Sequence, residues 1–183
     1  MPHNNTFNHG EVAAYGDYFR VSPSGGSAVN YLGLGGRVGF NVFRYGALEA
    51  EMNYDFERNN TTISTNGTGT TTTFTARIRP ITGLFGPKFQ IGSTGPVRAF
   101  VEGKAGFIEF STNCNAPAGS GSCFANSIGG FGGNSTHFAA FPGGGIEFFA
   151  GPIGLRMEAG DEIWVNNGAY NNLRVTFGPS IRF

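Results

Sequence analysis

The chain has 183 residues, a length typical of a single domain. Only 13% of these residues are charged, whereas about a quarter are charged in soluble globular proteins, and the formal net charge of zero argues against a nucleic-acid partner. No run of about 18 apolar residues occurs, which excludes a transmembrane helix but fits strands in which apolar and polar residues alternate.

The first ten residues are polar and lack both the basic region and the apolar stretch of a signal peptide, so we expect a flexible tail at 1–10 of a mature or trimmed chain. The first predicted strand is Val12–Val21, on which Asp17 and Arg20 fall on opposite faces. The second, Leu32–Val42, has apolar residues at most even positions and mainly Gly, with Arg37, at odd positions. Because successive side chains of a strand point to opposite faces, Arg37 is predicted to lie opposite the apolar face.

The third predicted strand, Leu48–Phe56, places Glu49 and Glu51 together on its polar face. The fourth, Phe74–Ile91, is long, and the phase of its alternation changes near Pro80. Since Pro cannot donate a ladder hydrogen bond, we expect a bend, a bulge or two separate pieces in this strand.

The fifth predicted strand, Val97–Phe107, sets Glu102 and Lys104 opposite its apolar positions. The sixth, Phe138–Phe149, contains a Pro-Gly-Gly-Gly run. Glycine weakens a strand, but it suits close packing around a kink.

The seventh predicted strand, Ile153–Ala159, alternates apolar residues with Arg156 and Glu158. The eighth, Leu173–Phe183, is apolar at every odd position and polar or Gly at every even position. Each strand therefore has one apolar face and one polar face along its length.

The connections between these strands alternate between longer and shorter. They are Ser22–Asn30, Phe43–Ala47, Glu57–Thr73, Gly92–Pro96, Ser111–Thr136, Ala150–Pro152 and Val165–Asn171. An even number of strands with short turns at one end and long loops at the other is typical of outer-membrane barrels. Both chain termini are then predicted at the short-turn end.

This pattern leaves open whether the polar faces or the apolar faces of the strands line the barrel interior. A soluble barrel of the lipocalin type places apolar residues inside and polar residues outside. The interior of an eight-stranded barrel is just wide enough for side chains to fill it. Because the polar faces mix glycines with a few long charged residues, they fit that crowded interior better than a solvent-facing surface, and we expect the apolar faces outside.

The chain resembles the small OmpA/OmpX-type outer-membrane β-barrels. The resemblance rests on residues 14–19 (Ala-Tyr-Gly-Asp-Tyr-Phe), 84–89 (Leu-Phe-Gly-Pro-Lys-Phe), 99–106 (Ala-Phe-Val-Glu-Gly-Lys-Ala-Gly), 143–147 (Gly-Gly-Gly-Ile-Glu) and 171–178 (Asn-Asn-Leu-Arg-Val-Thr-Phe-Gly). It implies an all-β fold, an eight-stranded antiparallel up-and-down transmembrane β-barrel over 11–183, in a bacterial outer membrane with both termini periplasmic. It implies no single activity and no cofactor.

The resemblance also suggests partners. They are outer-membrane lipids and lipopolysaccharide, the barrel-insertion machinery, and other surface or membrane proteins that contact the long loops. Phe177, Ile181 and the terminal Phe183 are similar to the signal that the insertion machinery reads. Aromatic residues near strand ends are predicted to form two interfacial girdles. These are Tyr18, Phe19, Phe43, Tyr45, Tyr54, Phe56, Phe107, Phe110, Trp164, Tyr170 and Phe183.

The predicted interior contains a balanced set of charges. They are Arg37, Glu49, Glu51, Asp55, Lys88, Glu102, Lys104, Glu147, Arg156, Glu158, Arg174 and Arg182. Charges that are buried away from water must pair and hydrogen-bond, so we expect a network of ion pairs that fills the lumen. This network is interpreted as a structural plug; the alternative is a gate in which exchange of partners opens a narrow path.

Two further features are candidate sites of chemistry. Cys114 and Cys123 lie in a segment rich in Gly, Ser, Ala and Asn, which favours a local disulfide over two free thiols. Their spacing does not match a C-x-x-C redox motif, and no second pair of ligands completes a zinc site. Ser135 and His137 share a face near the long-loop rim of the sixth predicted strand. Because no acidic residue can be assigned to orient the histidine, the pair is weak evidence for a hydrolase, and we expect no enzyme activity.

These observations predict an occluded membrane barrel with a structural, surface-interaction or accessory-subunit role. The alternatives are a narrow or gated pore for ions or small solutes and, less favoured, a soluble ligand-binding barrel.

Overall fold

In a computed structural model, the described residues are 9–22, 28–43, 45–65, 71–91, 95–115, 135–166 and 168–183. These residues form nine β-strands. They are β1 (Gly10–Val21), β2 (Val29–Phe43), β3 (Gly46–Asp55), β4 (Arg58–Thr65), β5 (Thr71–Ile91), β6 (Val97–Asn115), β7 (Ser135–Ala150), β8 (Ile153–Val165) and β9 (Ala169–Arg182). None of the described segments contains a helix that is long and apolar enough to cross a membrane.

The strands close into an eight-stranded antiparallel barrel, which confirms the predicted fold. Each strand pairs with the next one along the chain except that β3 pairs with β5 rather than with β4, and β1 pairs with β9. The strands β3 and β4 both pair with β5 and follow one another along the wall, so they count as one barrel strand. The backbones of Gly10 and Phe183 exchange two hydrogen bonds of 2.9 and 3.0 Å where the barrel closes.

The irregularity predicted within the fourth strand lies instead in the strand beside it. The pairing of β5 with β6 keeps one register along its whole length. The break occurs between β3 and β4, where Tyr54 pairs with Ile81 but Arg58 pairs with Ile78, so the β3–β4 side holds one extra residue. Pro80 lies opposite this break, and its missing amide donor explains why the ladder is interrupted there.

Several strands are longer than predicted. Most of the predicted loop Glu57–Thr73 is the hairpin of β4 and the start of β5, which is rich in β-branched threonine. The strand β6 continues past Phe107, and β8 continues past Ala159. As a result, the β8–β9 connection shortens to residues 166–168, and the predicted alternation of loop lengths holds less clearly at that connection.

Burial alternates along the strands with the predicted polarity. Leu48, Met52 and Ile181 are 40%, 56% and 59% exposed, whereas Glu49 and Arg174 are 1% and 0% exposed. The outside of the barrel is therefore a belt of apolar side chains, and the ionic side chains face the axis. This arrangement contradicts a soluble ligand-binding barrel, which would bury its apolar faces.

Candidate functional site in the barrel interior

The barrel has two distinguishable ends. The short-turn end carries Gly10, Phe183 and the turn at 151–152. The long-loop end carries Val21, Val29, Asn115 and Ser135, at which β1, β2, β6 and β7 end or begin. From the first end to the second, the interior holds a charged network, then a smaller acidic chamber, then an apolar cap.

The charged network consists of eleven buried side chains. They are Glu11, Arg37, Glu49, Glu51, Lys88, Glu102, Lys104, Glu147, Arg156, Glu158 and Arg182. Ten of them were predicted to face inward from the alternation alone; Glu11 was not.

Arg156 on β8 lies at the centre of this network. Its Nη1 atom lies 2.8 Å from Glu49 Oε1 and 3.3 Å from Glu147 Oε1. Its Nη2 atom lies 2.5 Å from Glu102 Oε2 and 2.8 Å from Glu158 Oε2. One guanidinium thus joins carboxylates from four different strands, which ties opposite walls of the barrel together.

Two lysines extend the network around the lumen. Lys88 Nζ lies 2.7 Å from Glu49 Oε1 and 2.8 Å from Glu147 Oε1. Lys104 Nζ lies 2.8 Å from Glu51 Oε2 and 3.0 Å from Glu102 Oε2. Because each lysine reaches at least two carboxylates, the charges form a continuous lattice rather than separate pairs.

Arg37 on β2 completes the lattice on the side nearest the acidic chamber. Its guanidinium lies 2.8 Å from Glu51 Oε2 and 2.6 Å from Glu158 Oε2, and it stacks over the Tyr15 ring at 4.8 Å. The Tyr15 hydroxyl donates a 2.7 Å hydrogen bond to Asn53 Oδ1. These two side chains form a Tyr15–Asn53 layer that separates the charged network from the acidic chamber.

Glycines on the inner face of β2 make room for these side chains. A Cβ atom at Gly35 would lie 2.5 Å from Tyr15 Cζ and 2.6 Å from Asn53 Oδ1. A Cβ atom at Gly33 would lie 2.8 Å from Asp55 Oδ1. The mixture of Gly and charge in the sequence therefore reflects steric complementarity within the lumen.

The acidic chamber consists of Asp17, Asp55, Glu162 and Arg174. The Arg174 Nε, Nη2 and Nη1 atoms lie 3.4 Å from Asp17 Oδ2, 3.3 Å from Asp55 Oδ2 and 2.5 Å from Glu162 Oε2. The guanidinium stacks on Phe19 at 4.2 Å. Each of the three guanidinium nitrogen atoms lies nearest to a different carboxyl group, so one cation is shared by three acidic side chains.

The sequence reasoning assigned Asp55 and Arg174 to the interior but missed Asp17 and Glu162. The alternation of Arg156 and Glu158 would have reached Glu162 if the seventh predicted strand had been continued beyond Ala159. Asp17 was ambiguous because Arg20 occupies the opposite face of the same short segment; in the structure Asp17 is buried and Arg20 is exposed.

The apolar cap closes the interior at the long-loop end. It consists of Phe19, Val21, Tyr31, Ile78, Leu84, Ile108, Phe110, Ala139, Phe141 and Trp164. The prediction that Phe19, Phe110, Trp164 and Tyr170 belong to an outer girdle is wrong: the first three are buried in this cap, and Tyr170 stacks on Trp164 at 4.2 Å. The inner face turns apolar at this height, which explains why two predicted strands ended too early and why the alternation in β5 changes phase.

Ser135 and His137 lie beside the apolar cap on the inner face of β7. The His137 Nε2 and Ser135 Oγ atoms are 3.1 Å apart, and the His137 ring lies 5.4 Å from the Trp164 ring. Sequence reasoning therefore placed these two side chains together correctly. Within the described ranges, no group of three His, Cys, Asp or Glu side chains is arranged to hold a metal ion.

The remaining predicted positions lie at the margins of the barrel. Cys114 belongs to β6, but Cys123 lies outside the described residues, so the disulfide stays a prediction. Phe177, Ile181 and Phe183 are exposed on the outer surface at the end of the chain, and their role as an insertion signal also stays a prediction.

Solved structures with the same fold are small outer-membrane barrels. Ail, the attachment invasion locus protein of Yersinia pestis, superposes with a TM-score of 0.58 at 14% identity, over 96% of this chain and 99% of Ail. Neisserial surface protein A gives 0.54 at 10% identity, over 95% and 97%. The N-terminal β-barrel domain of Pseudomonas aeruginosa OprF gives 0.51 at 10% identity, over 93% and 97%.

The chain thus has the fold of the OmpA/OmpX-type barrels. No family model matches its sequence, and no curated protein matches it by sequence search.

Proposed function

We propose that this protein is an integral barrel of a bacterial outer membrane, with its apolar belt in the lipid and both termini in the periplasm. The exposed side chains of Leu48, Met52 and Ile181 support this assignment because a soluble surface would not carry such a belt. The protein should stay monodisperse only in detergent or lipid, and its gel migration should change on heating. The division into an N-terminal tail and a barrel also stays part of this proposal; because Gly10 is the first residue of β1, the barrel begins there rather than at residue 11.

The proposed role is non-catalytic: membrane structure, surface contact through the long loops, or service as an accessory subunit. The observation that carries it is the set of buried contacts across the lumen: Arg156 binds four carboxylates, and the apolar cap lies on the long-loop side of them. Ions would have to break several charge-assisted contacts and displace buried aromatic rings to pass.

The second candidate is a narrow or gated pore. It is supported by the sharing of carboxylates: Glu49 lies within 4.0 Å of Arg37, Lys88, Lys104 and Arg156, so cations could exchange partners.

Single-channel recording in planar bilayers separates the two candidates. We expect no steady conductance from the wild-type protein. A steady conductance that Glu102→Lys abolishes, and that Glu57→Lys on the exposed wall leaves intact, would establish the pore instead.

We also propose that an arginine rim near the long-loop end binds the phosphates of lipopolysaccharide. This rim comprises Arg20, Arg58, Arg77 and Arg79, of which the first three are exposed and Arg79 is partly buried. Arg79 Nη1 donates a 2.6 Å hydrogen bond to the Tyr54 hydroxyl, which holds that guanidinium at the edge of the apolar belt. Arginine recognises phosphate well because its planar fork can donate two hydrogen bonds at once. In one of the solved structures above, Ail is in complex with the heparin analogue sucrose octasulfate, also a polyanion.

Titration of the detergent-solubilised protein with lipopolysaccharide tests this partner. The Arg77→Ala/Arg79→Ala variant should bind several-fold more weakly, with a reduced salt dependence. The control is Arg98→Ala, which removes a cation at the short-turn end; equal weakening by the control would contradict a specific rim site. The barrel-insertion machinery is proposed as a further partner through Phe177, Ile181 and Phe183, and deletion of Phe183 should slow insertion in cells.

A further inference from the structure

We propose that the acidic chamber is a buried proton-binding site, in which two of the three carboxyl groups of Asp17, Asp55 and Glu162 hold a proton in the resting protein. This inference does not depend on whether the lumen conducts.

The first argument is charge balance. Asp17 is 3% exposed, and Asp55, Glu162 and Arg174 are all 0% exposed. If all three acids were ionised, two negative charges would stay buried without a counter-ion, which is strongly unfavourable. Protons remove this imbalance and leave one carboxylate for the guanidinium.

The second argument is that no other cation among the described side chains serves the chamber. The uncharged polar groups around it include Tyr15 on β1, Asn53 on β3, Thr82 on β5, and Asn172 and Thr176 on β9. The charged groups that act on Asp17 from the network side are Arg37, Glu51 and Glu158. The described inner positions of β2, β6 and β7 at this height are glycine or residues of the apolar cap. The titratable residue His137 on the inner face of β7 lies beside that cap, with its ring 5.4 Å from the Trp164 ring. The nearest cation on the short-turn side of the chamber, Arg37, is already bound to Glu51 and Glu158.

The third argument comes from buried polar atoms without hydrogen-bond partners. Both carboxyl oxygens of Asp17 and the Oδ1 atom of Asp55 are buried and lack one. A protonated carboxyl group supplies an O–H donor that these acceptor oxygens can use. Protons therefore improve both the charge balance and the hydrogen bonding.

A bound metal ion fits the chamber less well. The Arg174 guanidinium already occupies the position between the three acids. The described His, Cys, Asp and Glu side chains also form no group that could hold a metal ion. The chamber lies between the apolar cap and the Tyr15–Asn53 layer, so a hydrated counter-ion would have to pass one of them.

Neutral substitutions test this proposal in the protein refolded into lipid vesicles. Asp55→Asn or Glu162→Gln should change the folding equilibrium constant by no more than about threefold, because each replaces a group that can be neutral already. The triple variant Asp17→Asn/Asp55→Asn/Glu162→Gln should lose roughly a hundredfold or more, because Arg174 is left without an anion. The matched control Glu49→Gln, whose carboxylate faces four cations, should lose a similar amount.

Either of two results would overturn the proposal: a single chamber variant as damaging as Glu49→Gln, or a triple variant as stable as the wild type. Infrared spectroscopy supplies a second measurement that does not depend on variant stability. The wild type at neutral pH should show a protonated-carboxyl C=O band that shifts in D2O and weakens in Asp55→Asn/Glu162→Gln but not in Glu49→Gln. Absence of this band, or a stoichiometric metal ion in the purified protein, would also overturn it.

Discussion

Arg156 on β8 donates a 2.8 Å hydrogen bond from Nη1 to Oε1 of Glu49 on β3, and the two strands lie on opposite walls of the barrel. Four strand positions separate β3 from β8 in either direction around the wall. This contact therefore crosses the barrel axis. Positions 49 and 156 are far apart in the sequence and meet only because the sheet closes into a barrel, so this contact spans the lumen at that level.

Replacing Arg156 with methionine should destabilise the barrel strongly. The substitution keeps much of the side-chain volume but leaves four buried carboxylates short of a cation. Breaking a buried ion pair by removing one partner costs about 3–5 kcal/mol. Urea unfolding in lipid vesicles measures the loss, and Arg20→Met on the exposed surface should stay within about 0.5 kcal/mol of the wild type. A similar small change at Arg156 would mean that the network adds little to stability.

The contact between Lys88 and Glu49 should show measurable energetic coupling. Their charged atoms are 2.7 Å apart, and both side chains are buried. A double-mutant cycle with Lys88→Met and Glu49→Gln should give an interaction free energy of about 0.5–3 kcal/mol, because each single change removes a close buried partner of the other charge. A reference cycle combines Glu57→Gln with Arg77→Met, at two positions that are both exposed. Additive effects at Lys88 and Glu49 would show that neighbouring charges replace the lost partner fully.

The polarity of the two barrel faces could be read from the sequence because a strand has a period of two. On β3, for example, Leu48 and Met52 alternate with Glu49 and Glu51, and the structure places the first pair outside and the second pair inside. The crowded interior of an eight-stranded barrel then decides which face is which. The partners of each charge could not be derived, since Arg156 meets Glu49 only through the closure of the whole sheet.

The upper part of the interior was harder to predict for a physical reason. Near the long-loop end the inner face becomes apolar, so Ile108 and Trp164 point inward on strands whose lower positions carry charge inside. A period-two pattern does not fix which face is buried once the inner polarity changes. For the same reason the interior position of Glu162 was not predicted, since it lies between Gly160 and Trp164 on the inner face of β8.

Adding one methyl group at Gly35 should destabilise the barrel, whereas the same change at Gly103 should not. A Cβ atom at Gly35 would press against the Tyr15 ring, which is buried and held by its hydrogen bond to Asn53. Overpacking of this kind costs about 1–3 kcal/mol. A Cβ atom at Gly103 meets nothing within 4 Å, so Gly103→Ala should stay within about 0.5 kcal/mol. Equal effects in urea unfolding would contradict the steric account of the β2 glycines.

A charge placed on the apolar belt should destabilise the barrel by an amount that depends on its depth in the bilayer. Met52 is 56% exposed on the outer face of β3, so Met52→Arg would force a guanidinium into lipid. Such substitutions cost about 2–4 kcal/mol at the midplane of a bilayer and about 0–1 kcal/mol near its edges. Asn30→Lys, beside the arginine rim on β2, should therefore change the free energy of unfolding very little. The difference in stability between the two variants should disappear in detergent micelles, which reshape around the protein. If Met52→Arg unfolded in vesicles at the same urea concentration as the wild type, the outer surface at β3 could not lie in the lipid.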